Sequence, residues 1–312
     1  MSPGTKGPKR VSTTASISDL DRIGNQLVAS SISNSSKDNY LRSWAHFQDF
    51  CTQYQLPVYL PVSTENMLRF VSFMYMRGYA AASIQLAVSA LSYIHKLNGF
   101  NDPSNNVLVK KSLVGIRNIT QPSEQSRPLP RELLDELVQK AEGILPNSFS
   151  ICMFQSMVSL GFYGLLRVGE MTKSHNCLQL DDILAMESSV QITFRNYKHS
   201  KGQAATIQVK SRSPTKFCPV YLLNQYLFLR GKKAGALFLK EDGKIPSRLD
   251  FWGWMQAVLK ACGFSSKVYN THSLRKGGAT NMARLGYTEE QIRLYGRWQS
   301  SAYKQYIRLS NF

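Results

Sequence analysis

Between Thr120 and Pro130 the chain reads TQPSEQSRPLP. Three prolines in this stretch remove backbone N–H donors, and each disfavours helix in the residue before it. No single helix or strand can run through it. The segment therefore predicts a linker over 120–130 and splits the 312 residues into two domains. The two sides read differently.

On the N-terminal side, residues 1–16 are Ser, Thr, Lys, Gly and Pro with little that is apolar, and they predict a disordered basic tail. The tail lacks the apolar core of a secretory signal. In SKDNYLRSWAHFQDFCTQYQLP the apolar residues Tyr40, Trp44, Phe47, Cys51 and Tyr54 recur at helical spacing. Ser35 or Ser36 is the expected N-cap and Pro57 the stop. VSTENMLRFVSFMYMRGY predicts a helix capped by Ser63 or Thr64 and closed by Gly78. AAASIQLAVSALSYIHKLNGF predicts another, ended by Asn98-Gly99, and a fourth starts near Pro103 and runs to about Asn118. Residues 17–119 thus read as a helical bundle, in which His95 is a packed or surface residue rather than a ligand.

The C-terminal side, residues 131–312, opens with the helix RELLDELVQKA and a long apolar helix, SICMFQSMVSLGFYGLLRVGEM. It then carries the clear β signal: VQITFR (Val190 to Arg195) and AATIQVK (Ala204 to Lys210) flank the turn-like NYKHSKGQ. The fold class is mainly α with a small antiparallel β-sheet.

Charge narrows the function. The formal net charge is +18, and no acidic residue lies between Glu187 and Glu241, a stretch that holds Arg195, Lys198, Lys201, Lys210 and Arg212. Such a chain is held near phosphate, and nucleic acid fits better than an anionic membrane because no basic amphipathic helix accompanies it. No apolar run is long enough for a membrane span. Five scattered cysteines, with no CxxC pair, predict reduced thiols and no zinc site.

Several polar residues sit where helices should be apolar. In GLLRVGEM, Arg167 follows an apolar run, and Glu170, three residues on, would share its helical face, as in many ordinary ion pairs. In THSLRKGGATNMARLG, His272 and Arg275 point the same way, and Gly277-Gly278 allows a close backbone approach. The tip of the hairpin offers Lys198 and Lys201. GRWQSSAYKQYIR offers Trp298, Tyr303 and Tyr306, which alone read as the packed face of a last helix.

Taken in order, Arg167, a hairpin lysine, His272-x-x-Arg275, Trp298 and a terminal tyrosine resemble the tyrosine recombinase (phage integrase) family. HSLRKGGAT and GRWQSSAYKQYIR are most similar to recombinases of eukaryotic Crypton-like and DIRS-type mobile elements. The resemblance implies a SAM-like helical core-binding domain at 17–119 and an α+β catalytic domain at 131–312. It implies DNA breaking and rejoining through a 3′-phosphotyrosyl link. Arg167 and Arg275 would clamp the phosphate, Lys198 (or Lys201) would protonate the leaving oxygen, and His272 and Trp298 would hydrogen-bond the phosphate. Glu170 would orient the first arginine or His272. Tyr306, eight residues after Trp298, would be the nucleophile, with Tyr303 the other candidate. Lys201, Arg195, Lys210 and Lys276 would contact DNA. Cations alone stabilise the charge, so no metal or other cofactor is implied. The partners implied are double-stranded DNA and further copies of the chain, a dimer on a site and a tetramer in synapsis. Only six residues follow Tyr306, which is short for a tail that docks on a neighbour. A DNA-binding module that no longer cuts, or a type IB topoisomerase-like activity, would use the same residues. The likeness to eukaryotic elements and Lys-rich segments such as KGPKR imply a nuclear location; a bacterial or phage source would imply the cytoplasm.

Overall fold

The structure is a computed structural model that describes residues 15–120, 126–195, 197 and 202–307. It separates into two compact units, Met1–Ser123 and Glu124–Phe312.

Among its described residues the first unit holds five α-helices: α1 (Ile17–Ser30), α2 (Asn34–Gln53), α3 (Thr64–Met76), α4 (Ala81–Leu97) and α5 (Val107–Ile119). Side-chain caps set the starts. Ser16 and Asp19 form a reciprocal capping box on α1, so this residue of the expected tail belongs to a helix, and the tail's residues 1–14 lie outside the described residues. Ser33, not Ser35 or Ser36, caps α2 by accepting from the Ser36 N–H. Ser63 caps α3, and Gly78 and Gly99 take positive φ after α3 and α4. The segment at Pro103 is a short 3₁₀ turn, with Asn106 capping α5 after it.

The core of this unit is aromatic. Phe47, Phe50 and Phe70 are buried, and Phe47 meets Phe70 edge-on with ring centroids 5.3 Å apart. Each such side chain contributes about 1.5–3 kcal/mol by leaving water. His95 is fully buried with both nitrogens engaged: Nδ1 lies 2.7 Å from the Leu91 carbonyl, and Nε2 accepts the Val62 N–H at 2.9 Å. Only the neutral ring protonated on Nδ1 satisfies both bonds. It is a packing residue. α1 buries none of its residues, so Ile17, Leu20 and Leu27 stay exposed.

The second unit is built around α7 (Ser148–Tyr163), buried almost continuously from Met153 to Phe162. Packed on it are α6 (Arg131–Lys140), α9 (Pro219–Arg230) and α11 (Thr271–Arg284). α8 (Val168–Met171), α10 (Arg248–Ala261) and α12 (Glu289–Tyr295) complete the helices. The sheet is antiparallel in the order β1 (Ile183–Ala185), β2 (Ser189–Phe194), β3 (Ala205–Lys210). Val190 pairs with Val209 and Ile192 with Ile207, which buries one face. β1 has three residues, too few for a period-2 pattern to show in the sequence.

Two local differences from the sequence reading matter for the site. First, the apolar helix does not continue into GLLRVGEM. It stops at Tyr163, and Leu165 takes a left-handed backbone with φ +48°. Arg167 is extended and becomes the N-cap residue of the separate short helix α8. Arg167 and Glu170 therefore meet across a helix start rather than along a helix face. Second, residues 126–130, expected as linker, lie against α11. The Arg127 N–H donates to Val268, the Leu129 N–H donates to Ser273, and Leu129 is buried. Prolines keep the stretch extended, which leaves these donors free to pair.

Gly277 and Gly278 do allow a close approach. A Cβ at Gly277 would meet the Leu129 carbonyl and the Phe162 ring, and one at Gly278 would meet the Phe162 carbonyl and Leu165. α11 thus lies directly on the end of α7, beside the turn that carries Arg167. The five cysteines are free thiols. No helix among the described residues is long and apolar enough to cross a membrane.

Candidate active site

Glu170 is the hub. It is buried, with 3 % of its side chain exposed. Its Oε2 accepts the Arg167 backbone N–H at 2.8 Å and Arg297 Nη2 at 2.9 Å, while Oε1 accepts Arg167 Nη1 at 3.1 Å. The backbone bond is an N-terminal cap: the carboxylate reaches back one turn to a donor that the helix cannot satisfy. The side-chain bonds tie Arg167 and Arg297 to one anion.

The broken end of α7 leaves the Leu165 carbonyl without a helical donor, and two guanidinium groups take it. Arg275 Nη1 donates to it, as does Arg297 Nη2 at 3.1 Å. Arg275 Nη2 donates to the Gly296 carbonyl. The Arg275 guanidinium carbon lies 4.2 Å from the Trp298 ring centroid and 5.9 Å from that of Tyr306. Arg275 is 1 % exposed and its Nε has no partner among the described residues. Burial, then the nearby Arg167 and Arg297, lowers the proton affinity of this guanidinium. The two arginines are therefore not equivalent. Arg167 keeps a quarter of its side chain open and, among the described residues, uses only Nη1 in side-chain bonding, whereas Arg275 is buried with both Nη atoms on backbone carbonyls.

His272 stands in the first turn of α11, where Asn270 caps the helix by accepting the His272 N–H at 2.9 Å. Its ring centroid is 6.3 Å from that of Tyr306. Trp298 is buried, 5.1 Å from the Tyr306 ring, and lies so close to the Gly296 Cα that a Cβ there would enter its ring.

The segment with the two tyrosines is a 3₁₀ turn, Ser301–Gln305, rather than an α-helix. It gives them different surroundings. The Tyr303 hydroxyl donates to Glu289 Oε2 at 2.5 Å, and Lys304 Nζ lies 3.4 Å from the same carboxylate. That bond pushes the Tyr303 phenol above its ordinary value. Tyr303 is a packed anchor on α12. Tyr306 is half-buried, its carbonyl accepts the Thr280 hydroxyl at 3.1 Å, and its ring faces Trp298, Arg275 and His272.

Of the remaining sequence candidates, Arg195, Lys210 and Lys276 are placed less centrally. Lys198 and Lys201 lie outside the described residues. Arg195 pairs with the buried Asp182 at 2.7 Å and ties the end of β2 to the 3₁₀ turn Leu180–Asp182 before β1. Lys210 is exposed at the end of β3. Lys276 donates to the Ser126 carbonyl at 2.7 Å and to its hydroxyl at 3.1 Å, which holds the 126–130 segment on α11. Among the described residues no cluster of His, Cys, Asp or Glu could hold a metal.

No protein-family profile matches the chain. It is 23 % identical over 270 residues to recombinase Cre of Escherichia phage P1, across 80 % of this chain and 77 % of Cre. A lambda integrase dimer bound to a COC′ core site superposes with TM-score 0.64 at 17 % identity, over 93 % of this chain and 76 % of that one. XerH site-specific recombinase bound to difH substrate gives 0.62 at 16 %, over 96 % and 83 %. The Tn1549 transposon integrase with transposon right end DNA gives 0.62 at 14 %, over 93 % of each chain. The chain has the tyrosine recombinase fold.

Within this recombinase fold, the sequence reading missed Arg297. Its side chain is 1 % exposed, its φ is +57°, and its guanidinium carbon lies 3.6 Å from the Phe194 ring centroid. The only signal in the sequence was an arginine between Gly296 and Trp298, and nothing local says that it points inward.

His272 gives a pH prediction. Desolvation, then Lys276, Arg275, Arg167 and Arg248, holds its imidazole below the ordinary value of 6.5. The ring is thus neutral at pH 7. Near pH 6.5 the folded chain binds less of this proton than the unfolded chain, so stability falls as pH drops through that window. An NMR titration of the His272 ring protons is expected to give a midpoint below 6.5, moved upward by Lys276→Met. A midpoint at or above 6.5 in the wild type contradicts this account.

Proposed function

We propose that this chain breaks and rejoins DNA as a site-specific tyrosine recombinase, with Tyr306 as the nucleophile. The observation that carries the reading is the Tyr306 ring set against Arg275, His272 and Trp298, beside the open guanidinium of Arg167. An excess of cations around one carboxylate is a site for an anion, and a phosphodiester supplies it.

In the proposed reaction the Tyr306 oxygen attacks the phosphorus. The P–O(Tyr) bond forms as the bond to the 5′-oxygen breaks, leaving a 3′-phosphotyrosyl link and a free 5′-hydroxyl. The covalent link conserves the bond energy, and a second 5′-hydroxyl reverses the step. Arg167 binds a non-bridging oxygen through its free guanidinium edge, and Arg275 adds charge beneath it. His272, neutral at pH 7, accepts the tyrosine proton, and Trp298 donates an indole N–H to the phosphate. Lys198, or Lys201, gives the leaving oxygen its proton; this assignment rests on family likeness.

The partner is double-stranded DNA, bound by a dimer on each site and a tetramer in synapsis; the DNA-bound relatives support the first element. Phosphate contacts through Lys210 and the hairpin tip make binding salt-dependent. The wording HSLRKGGAT and GRWQSSAYKQYIR supports a mobile-element recombinase of the Crypton-like or DIRS-type kind, acting in the nucleus.

The test uses a pool of nicked duplexes of randomised sequence, in which the 5′-hydroxyl fragment diffuses away and a covalent species accumulates. Wild-type protein is expected to retain DNA through detergent, and the released fragment is expected to bear a 5′-hydroxyl that polynucleotide kinase labels. Retarded DNA that detergent strips away points instead to a module that binds without cutting. Relaxation of supercoils with no need for paired sites points to a topoisomerase.

A further inference from the structure

Arg297 is, with Arg275, one of the two buried arginines of the site. Its side chain is 1 % exposed, against 25 % for Arg167. A left-handed backbone is uncommon for a residue with a long side chain, yet Arg297 adopts φ +57°. The contacts that hold it there are the Glu170 carboxylate at 2.9 Å, the Leu165 carbonyl at 3.1 Å, the Tyr295 carbonyl at 3.3 Å and the Phe194 ring.

The placement matters because of what Glu170 would otherwise do. Alone, Glu170 and Arg167 form a neutral pair, and a buried carboxylate short of donors draws a guanidinium into a two-pronged grip. Both prongs of Arg167 would then face inward, away from any substrate. In the structure Oε2 is already occupied by Arg297 and by the Arg167 backbone N–H. Oε1 holds only Nη1 of Arg167. Three charged groups leave a net positive charge, and the rest of the Arg167 guanidinium makes no bond to the described residues.

We infer that Arg297 is a positioning residue that saturates Glu170, so that the carboxylate orients Arg167 toward a phosphate without neutralising it. This rests on the proposed recombinase reading of the site. It makes Glu170 and Arg297 one unit: the carboxylate aims the arginine, and the second arginine keeps the carboxylate from capturing it.

The test is a double-variant cycle on the full chain, read as the rate of covalent trapping on the nicked randomised duplexes, with thermal melting alongside. Arg297→Met is expected to lower the trapping rate by about 100-fold when Glu170 is present, and by no more than about 3-fold in Glu170→Gln, where no anion remains to capture Arg167. Arg297→Lys keeps the charge, and so keeps the rate within about 10-fold of wild type should Arg297→Met fail to fold. Equal losses for Arg297→Met in both backgrounds would mean that Arg297 only supports the fold and would overturn the inference. So would wild-type rates for Arg297→Met, or a 100-fold loss for a folded Arg297→Lys. If wild-type protein traps no DNA at all, the recombinase reading falls and takes this inference with it. If wild type traps DNA and the cycle shows no coupling, the inference alone falls.

Discussion

Tyr306→Phe is expected to eliminate the covalent DNA complex on the nicked duplexes, a loss of at least about 10⁴-fold in trapping rate, while leaving the melting temperature close to wild type. The phenyl ring keeps the packing against Trp298 and Arg275, and only the attacking oxygen disappears. Tyr303→Phe is the informative companion. Its hydroxyl is already bonded to Glu289. It is expected to keep trapping within about 10-fold, the residual loss coming from a looser 301–306 turn. The opposite pattern, with Tyr303→Phe inactive and Tyr306→Phe active, would transfer the nucleophile to Tyr303 and require the Glu289 bond to open.

Gly278→Ala is expected to have the largest effect on stability, about 3 kcal/mol or more in urea unfolding of the second unit. The added methyl would run into the Phe162 carbonyl, which is backbone and cannot rotate away. α11 would have to lift from α7, and His272 and Arg275 would move with it, so trapping is expected to fall too. With a native stability of about 5–15 kcal/mol, a loss of this size leaves a protein near its threshold. Gly253→Ala makes the control. That glycine lies in the interior of α10 with nothing within 4 Å of an added Cβ. Its replacement should stabilise by about 0.5–1 kcal/mol through helix propensity and unfolded-state entropy. Equal effects at the two positions would mean that the close packing of α11 on α7 does not hold in solution.

What the sequence determined by itself is what depends on near neighbours along the chain. Apolar spacing placed α2, α3 and α4, because the side-chain period of a helix is written within one or two turns. Alternation of apolar residues placed β2 and β3 to within one residue, since both strands bury one face. The double glycine announced a close contact, though not with what. The order of Arg167, His272, Arg275, Trp298 and Tyr306 was readable; the structure sets Arg167 on Glu170 and Arg275 on Leu165, and His272, Arg275 and Trp298 beside Tyr306.

Tertiary structure decided the rest, and the reason is distance along the chain. Nothing near Leu165 says that its helix must break. The break is stabilised because Arg275 and Arg297, more than a hundred residues later, bind the carbonyl that it frees. Nothing in the sequence marks Arg297, and its burial beside Glu170 appears only in the fold. The two tyrosines three residues apart differ in their surroundings through Glu289, a partner from another element that no local pattern names. Backbone period is a short-range property, whereas the pairing of a buried charge is settled only when segments far apart in sequence meet.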